Sequence, residues 1–347
     1  MALWMNTAVL FKHHNYGGPF PWAVSSSYSS GVVCVNGSWR NTFSFAMKSS
    51  TSSQASLWSS VSFSDKRPVK ANSENHEQRQ EEDEEEDYQV LTSIRSNYND
   101  IMILDTAKAK ILLLDSSYNV HSILYKHQKW TNSYWDEFAS LPPIVPQGPI
   151  AILGLGGGTV AHLMLDLWPK LQLEGWEIDQ ILIDKAREHF ALSDLEKHTN
   201  AGGMLTVHVG DAFSPSINVT GRYAGVVVDL FSNGEVLPQL QEVPTWLNLN
   251  NWLMPGGRIM VNCGGTSGAS EVDLKTSSDN VSWMQNSTIN ALSTAFPEQI
   301  SWKKLGKENG ANYLALTGPI PDLESWSTMV PEPLSNSVRE WKPYEES

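Results

Sequence analysis

Glycines and one glutamate recur in this chain at a spacing that could hold a nucleoside. Gly154, Gly156 and Gly158 stand directly after a short apolar run and before an expected helix. Glycine permits a sharp backbone turn and lets a ligand approach the chain closely. Glu177 comes 19 residues after Gly158, at the end of the next expected strand. A carboxylate at that place can accept hydrogen bonds from both hydroxyls of a ribose.

Two further carboxylates follow the ends of later strands. Asp211, with Ala212 beside it, comes after the third strand, where its carboxylate can accept from an adenine amino group. Asp229 ends the fourth strand, where it can hold an ammonium group or take a proton. Each also fits an ordinary aspartate in a turn, which is common. Three acidic residues at successive strand ends are hard to obtain by chance, so we predict a nucleoside site.

The main competitor is a dinucleotide site. A nicotinamide-binding loop has the pattern GxGxxG, but Thr159 stands where its last glycine would fall. Asp211 is also not needed for a dinucleotide. We therefore favour S-adenosylmethionine, or its decarboxylated form, as co-substrate over NAD. The chain has two cysteines and neither HExxH nor CxxC, so no metal is expected.

Alternating strands and helices would position these residues. Strands are expected at 149–153, 171–177, 205–209, 223–230 and 258–262, and helices at 160–168, 181–190, 248–253 and 281–295, with a turn at 256–257 and a closing hairpin from 301–304 and 313–317. This pattern predicts an α/β fold, a Rossmann-like doubly wound sheet over residues 146–325, with a tail at 326–347. Strands at 100–105 and 109–115 and a helix at 133–141 predict a small N-terminal β-hairpin subdomain over 88–145.

The front of the chain has a different composition. Residues 1–64 contain no Asp or Glu and are rich in Ser and Thr, which is typical of a transit peptide. The scarcity of Arg favours a plastid, so we predict chloroplast localisation; a disordered tail without a targeting role is the alternative. Residues 65–87 end in an acidic block that predicts a solvated linker. The net charge of −14 argues against a nucleic-acid partner, and no run of 18 apolar residues suggests a membrane span.

The order of these motifs resembles spermidine synthase and its relatives, the polyamine aminopropyltransferases, within the S-adenosylmethionine-dependent methyltransferase superfamily. The resemblance covers roughly residues 96–262, and together with the predicted transit peptide it indicates a plant, plastid-targeted member. Four segments carry it: Ser96–Ile101 is similar to S-x-Y-Q-D-I, Leu114-Asp115 to L-D-G, Tyr134-Trp135-Asp136 to Y-H-E, and Glu177-Ile178-Asp179 to E-I-D. It implies a fold of the class I methyltransferase type, a small amine-bearing acceptor and a homodimer.

The resemblance also implies roles for individual residues. Glu177 would bind the ribose, Asp211 the adenine, and Asp229 would activate the attacking amine, while Tyr134 would line the substrate pocket. The remaining implied site residues are Gly154, Gly156, Gly158, Ile178, Ala212 and Asn99 for the co-substrate and Asp136 for the substrate.

Asn99 replaces the early glutamine of the family pattern, and two carboxylates of that pattern are missing. Gly157 stands where the family's loop has an aspartate, and Ser232 replaces the second aspartate of its strand-end motif. Three functions therefore stay open: methyl transfer, aminopropyl transfer, and a catalytically inactive nucleoside-binding or assembly protein.

Overall fold

The computed structural model describes residues 34–35, 38–39, 87–115, 119–214, 221–265, 286–305 and 312–345. The predicted transit peptide and linker lie outside these ranges, apart from residue 87 and two short strands, Cys34–Val35 (β1) and Ser38–Trp39 (β2), which pair antiparallel. Within the described part of the chain, no helix is long and apolar enough to cross a bilayer.

A four-stranded antiparallel sheet forms the N-terminal part. Its strands are Tyr88–Arg95 (β3), Asp100–Thr106 (β4), Ala109–Leu113 (β5) and Val120–Tyr125 (β6), in that order across the sheet. The central pair β4–β5 confirms the predicted hairpin. The outer strands were not predicted, because polar residues interrupt their apolar pattern, and two of these, Thr92 and Ser122, are themselves buried.

An eight-stranded mixed sheet forms the second part. Its strands are Ile150–Leu153 (β7), Gln172–Glu177 (β8), Met204–Val209 (β9), Tyr223–Val228 (β10), Leu253–Asn262 (β13), Ile300–Lys304 (β14), Tyr313–Thr317 (β15) and Lys342–Pro343 (β16), in the order β16-β14-β15-β13-β10-β7-β8-β9. The five strands from β13 to β9 are parallel, and β15, β14 and β16 are added by antiparallel pairing, each with its neighbour in the sheet. The predicted doubly wound α/β fold of the class I methyltransferase type is confirmed.

Helices cover both faces of this sheet. They are Tyr134–Phe138 (α1), Thr159–Leu167 (α2), Gln180–His189 (α3), Leu192–Leu195 (α4), Val243–Asn250 (α5), Ser287–Ala295 (α6), Leu323–Met329 (α7) and Leu334–Ser337 (α8). Alternate residues of β7 enter two separate cores. Ile150 and Ile152 pack in the cluster that contains α2 and α3, whereas Ala151 and Leu153 pack in the cluster that contains α5 and α6.

The strand order places a crevice at the centre of the sheet. The chain winds outward from β7 to β8 and β9, then returns to β10 and β13 on the other side of β7. At such a reversal the connections leave in opposite directions, which opens a crevice at the carboxyl ends of the strands. The glycine loop follows β7 and Asp229 follows β10, so both border this crevice.

Two predicted boundaries are corrected, and a third is described only in part. The helix expected at 248–253 is α5, which starts at Val243 with a proline in its first turn, where the missing N–H costs no hydrogen bond. The turn expected at 256–257 lies inside β13, where Gly256 adopts φ +81°. The helix expected at 281–295 is described from Ser287 onward, and residues 281–285 lie outside the described ranges.

The C-terminal segment belongs to the folded body. We set residues 326–347 apart as a tail, but Trp326 and Trp341 are both buried and β16 extends the main sheet. The indole N–H of Trp326 donates to the carbonyl of Ser140 at 2.8 Å. Burial of two indoles explains why this segment packs as part of the domain.

Candidate active site

The glycine loop brings the ends of β7 and β10 into contact. Gly154, Gly156 and Gly158 adopt φ of +89°, +54° and +89°, a region that favours glycine. A Cβ on Gly154 would lie 2.2 Å from the carbonyl oxygen of Asp229. The loop therefore requires glycine at this position, and the predicted proximity of loop and strand-end aspartate is observed.

Glu177 lies at the end of β8 with its carboxylate turned to the loop. The backbone N–H of Gly156 donates to Oε2 at 3.0 Å, and that of Asp179 donates to Oε1 at 3.2 Å. Burial raises the pKa of Glu177, and these two N–H groups oppose that rise. Each carboxylate oxygen keeps one further acceptor position, so the pair could receive two adjacent hydroxyl groups.

Asp179 ties this region to the N-terminal sheet. It caps α3 by accepting from the N–H of Ile181 at 3.0 Å. Its second oxygen accepts from the hydroxyl of Ser96 and from Nδ2 of Asn99, the latter at 2.8 Å. Asn99, a predicted co-substrate residue, thus lies beside the Glu177–Asp179 segment, where it holds the β3–β4 turn in place.

The other predicted co-substrate residues lie at the ends of β8 and β9. Ile178 is 39% exposed directly after Glu177, which makes it available to a ligand ring. Asp211 is exposed and accepts from the N–H of Phe213 at 2.8 Å, whereas Ala212 is buried. The strand ends that carry these residues border the same edge of the sheet as the glycine loop.

Asp229 is surrounded by three side-chain donors. The hydroxyl of Tyr134 and the indole N–H of Trp135 donate to its Oδ2 at 3.1 and 3.3 Å. Nδ2 of Asn262 donates to Oδ1 at 3.0 Å. Burial raises the pKa of Asp229 to about 6, and the three donors oppose a larger rise. A carboxylate that titrates this close to neutrality is suited to accept a proton from a substrate.

Tyr134 serves Asp229 as a permanent donor. Burial, and next the negative charge of Asp229, raise the pKa of Tyr134 well above its usual value, so the phenol keeps its proton. The sequence predicted that Tyr134 lines the substrate pocket, and the structure places its hydroxyl beside Asp229. Trp135, the next residue of α1, contacts the same carboxylate and was not predicted as a site residue.

Asn262 is a site residue that the sequence interpretation missed. It ends β13, the parallel neighbour of β10, so its side chain reaches the same edge of the sheet. Its Oδ1 accepts from the N–H of Gly264 at 3.1 Å, which turns Nδ2 toward Asp229. The strand-end rule that selected Asp229 would have selected Asn262 if amides had been considered together with carboxylates.

Asp136, a predicted substrate-binding residue, forms hydrogen bonds with the turn before α1. Its Oδ1 accepts from the N–H and the hydroxyl of Thr131 at 3.0 and 2.7 Å, and its Oδ2 accepts from the N–H of Asn132 at 2.8 Å. The side chain is buried and holds the turn before α1. Among the described contacts none joins Asp136 to Asp229, and its role in substrate binding stays a prediction.

The two positions that lack a carboxylate of the family pattern have distinct surroundings. The N–H of Gly157 donates to the hydroxyl of Ser122 at 2.8 Å, and a Cβ on Gly157 would lie 2.9 Å from Cβ of Ser122 and 3.1 Å from Cδ1 of Phe190. The present arrangement thus leaves no room for a side chain there. Ser232 is exposed in the short strand Phe231–Ser232 (β11), which pairs with Glu235–Val236 (β12).

No metal centre accompanies this site in the described part of the chain. Within those ranges, no group of three or more His, Cys, Asp or Glu side chains is arranged to hold an ion.

Comparison with known proteins gives one relative in sequence. No family model matches the chain. A probable polyamine aminopropyl transferase from Bifidobacterium longum is 27% identical over 168 residues, which are 48% of this chain and 36% of that protein. The chain therefore spans about a third of the length of this curated relative.

Solved structures offer more distant likenesses. A probable spermidine synthase from Corynebacterium glutamicum is 16% identical, covers 65% of this chain and 79% of its own, and has a TM-score of 0.48. Spermidine synthase from Thermotoga maritima is 12% identical, with coverages of 66% and 72% and a TM-score of 0.46. Human methyltransferase-like protein 13, solved with SAH, is 20% identical, with coverages of 61% and 92% and a TM-score of 0.40. At these identities and TM-scores the structural likenesses do not extend to function. The sequence relative supports the resemblance to polyamine aminopropyltransferases as a distant one.

Proposed function

We propose that this chain is a transferase that uses S-adenosylmethionine or its decarboxylated form and acts on a small, amine-bearing acceptor. The observation that carries this proposal is the position of Glu177 and Asp229 on either side of one glycine loop. In this proposal Glu177 binds the nucleoside and Asp229 accepts a proton. The curated relative, a probable polyamine aminopropyl transferase, supports the same class of chemistry.

The nucleoside would bind along the loop. The two ribose hydroxyls would donate to the acceptor positions left on Glu177, and the adenine would lie against Ile178, with its amino group toward Asp211. This orientation would place the sulfonium next to the end of β10. Transfer to a positioned acceptor gains most of its rate from proximity and alignment with the leaving sulfur.

Asp229 would supply the proton chemistry. Each carboxylate oxygen can accept two hydrogen bonds. Oδ2 of Asp229 already accepts two, from Tyr134 and Trp135, and Oδ1 accepts one, from Asn262, so one acceptor position remains on Oδ1. An acceptor amine would donate an N–H there. As the nitrogen attacks the transferred carbon, the carbon–sulfur bond breaks with its electron pair going to sulfur, and the amine proton passes to Asp229. General-base assistance of this kind contributes roughly 10²–10⁴ in rate.

The decisive experiment is calorimetric titration of the full chain with each of the two donors, followed by incubation with polyamines and other small amines. We expect at least one donor to bind. Glu177→Gln should weaken its binding about 10- to 100-fold, because a charged acceptor is worth roughly 1.5–3 kcal/mol. Glu188→Gln, which changes an exposed glutamate of α3, is the matched control and should bind like the wild type.

The outcomes separate the open alternatives. Transfer of a methyl or of an aminopropyl group identifies the donor, and in either case Asp229→Asn should bind the donor but lose transfer. Binding without transfer to any amine would indicate the inactive nucleoside-binding protein. Binding of neither donor would refute the proposal.

We further propose that residues 1–64 direct the protein to the chloroplast. The proposal rests on the absence of acidic residues and the abundance of Ser and Thr in this segment. A fluorescent protein fused to residues 1–64 should enter chloroplasts in leaf cells. A fusion that starts at residue 65 is the control and should stay outside, and equal distributions of the two fusions would refute the proposal.

A further inference from the structure

A buried ion pair joins α1, the helix that carries Tyr134 and Trp135, to strand β14 of the main sheet. Lys303 lies in β14 with 1% of its side chain exposed, and its Nζ lies 3.0 Å from Oε1 of Glu137 in α1. The same Nζ donates to the carbonyl of Ser337 at 2.8 Å. The hydroxyl of Ser337 contacts both charged groups. Three segments that are distant in sequence thus meet at one buried cluster.

Stability alone does not account for this cluster. Removing two charges from water is costly, and apolar side chains of similar volume in place of a buried ion pair are often neutral or stabilising. Oε2 of Glu137 is also buried without a hydrogen-bond partner among the described residues. What the pair supplies is a defined position for α1.

That position matters because α1 carries two of the three donors to Asp229. The helix is only five residues long, from Tyr134 to Phe138, so its own hydrogen bonds do little to fix it. The indole N–H of Trp326 fixes the chain after α1 by donating to Ser140. Glu137 ties the helix itself to β14, which lies near the β16 edge of the main sheet.

We propose that Lys303 is a positioning residue: through Glu137 it holds α1 so that Tyr134 and Trp135 donate to Asp229. Lys303 itself does not contact Asp229. The importance of Asp229 for catalysis rests on the proposed function. The positioning of α1 by Lys303 can be tested in the protein without a ligand.

The test is a pH titration of Asp229 in the full chain, in which NMR monitors aspartate labelled at the carboxyl carbon. Comparison with Asp229→Asn identifies the signal. The double variant Glu137→Leu with Lys303→Met removes both charges at once, so no lone charge stays buried. We expect the Asp229 midpoint to rise by about one pH unit, because donors to the charged form are weakened.

A matched control and a second variant make the result decisive. Glu324→Leu with Arg339→Met removes an exposed ion pair of the same C-terminal segment and should leave the midpoint unchanged. Tyr134→Phe should also raise the titration midpoint of Asp229. When Tyr134→Phe is combined with the Glu137/Lys303 double variant, the midpoint should rise by less than the sum of the two separate shifts.

A folded double variant whose Asp229 titrates as in the wild type would overturn the proposal. If the double variant does not fold, Ser337→Ala decides: a smaller rise in the midpoint supports the positioning role, and no change refutes it. Since no substrate is added, failure here is distinguishable from failure of the proposed transferase activity.

Discussion

A single methyl group at Gly157 tests how closely the glycine loop is held against the N-terminal sheet. An added Cβ would lie 2.9 Å from Cβ of Ser122 and 3.1 Å from Cδ1 of Phe190. Carbon atoms reach their optimal contact at about 3.5–4.0 Å, so both contacts are repulsive. Neither neighbour can swing away, because the Ser122 carbon is attached directly to the main chain of β6 and Phe190 is 1% exposed.

The size of the effect follows from two opposing terms. Overpacking of this kind typically costs about 1–3 kcal/mol. Gly157 does not have a positive φ, so alanine also restricts the unfolded chain and returns roughly 0.4–1 kcal/mol. The steric term is the larger one, and we expect Gly157→Ala to lower the free energy of unfolding by about 1–2 kcal/mol. At about 2–4 °C per kcal/mol the melting temperature should fall by ~2–8 °C.

Thermal unfolding monitored by circular dichroism measures this fall. Gly148→Ala is the matched control: its Cβ would come closest to the terminal methyl of Met254, at 2.6 Å, and that flexible side chain can rotate away, while the fixed Cβ of Ala224 lies farther off, at 3.3 Å. Ser122→Gly in the Gly157→Ala background removes the closest contact and should restore part of the loss. A Gly157→Ala protein that melts with the wild type, or a loss that Ser122→Gly leaves unchanged, would refute the steric explanation.

Three other substitutions test the site and its support. Asn262→Leu removes the donor to Oδ1 of Asp229, so the pKa of this carboxyl should rise above about 6. Because Asp229 must be deprotonated to act as the base, the pH at which the transfer rate is half-maximal should rise by the same amount. The pKa of Asp229 in the folded state is itself raised, so the ionised carboxylate destabilises the fold. As the pH rises from about 4 to about 7, the free energy of unfolding in urea should therefore fall by up to about 3 kcal/mol more for the wild type than for Asp229→Asn. An equal pH dependence of the two unfolding free energies would contradict the raised pKa. Trp326→Phe removes the hydrogen bond to Ser140 and should cost about 1–3 kcal/mol of unfolding free energy, measured by urea denaturation; an unchanged midpoint would show that the C-terminal segment contributes little.

The central sheet and the placement of its acidic residues could be predicted because parallel strands impose a strong pattern. Strands buried on both faces appear as short apolar runs, and their carboxyl ends meet at one edge. Glu177 and Asp229 were selected on this ground alone, and the structure places both beside the glycine loop.

The residues that surround these carboxylates depend on packing between distant segments, which no local pattern contains. Asp136 follows Tyr134 in sequence, yet its carboxylate turns back to Thr131 instead of toward Asp229. Lys303, more than 160 residues from Glu137, pairs with it only because the sheet and α1 meet there. The buried C-terminal segment was missed for the same reason, since its tryptophans are scattered and show no period.

The buried carboxylates of this site favour a ligand that carries positive charge. Burial raises the pKa of both Glu177 and Asp229, which means that each is less stable as an anion here than in water. A bound cation would offset that cost and draw the protons off both groups, and by linkage the affinity for the cation must rise with pH. An uncharged nucleoside gains from deprotonated Glu177 through its ribose hydroxyls, but it brings no positive charge to Asp229, whose pKa is about 6. The pH dependence of affinity therefore separates recognition of a sulfonium from recognition of the adenosine alone, whether the group transferred is methyl or aminopropyl.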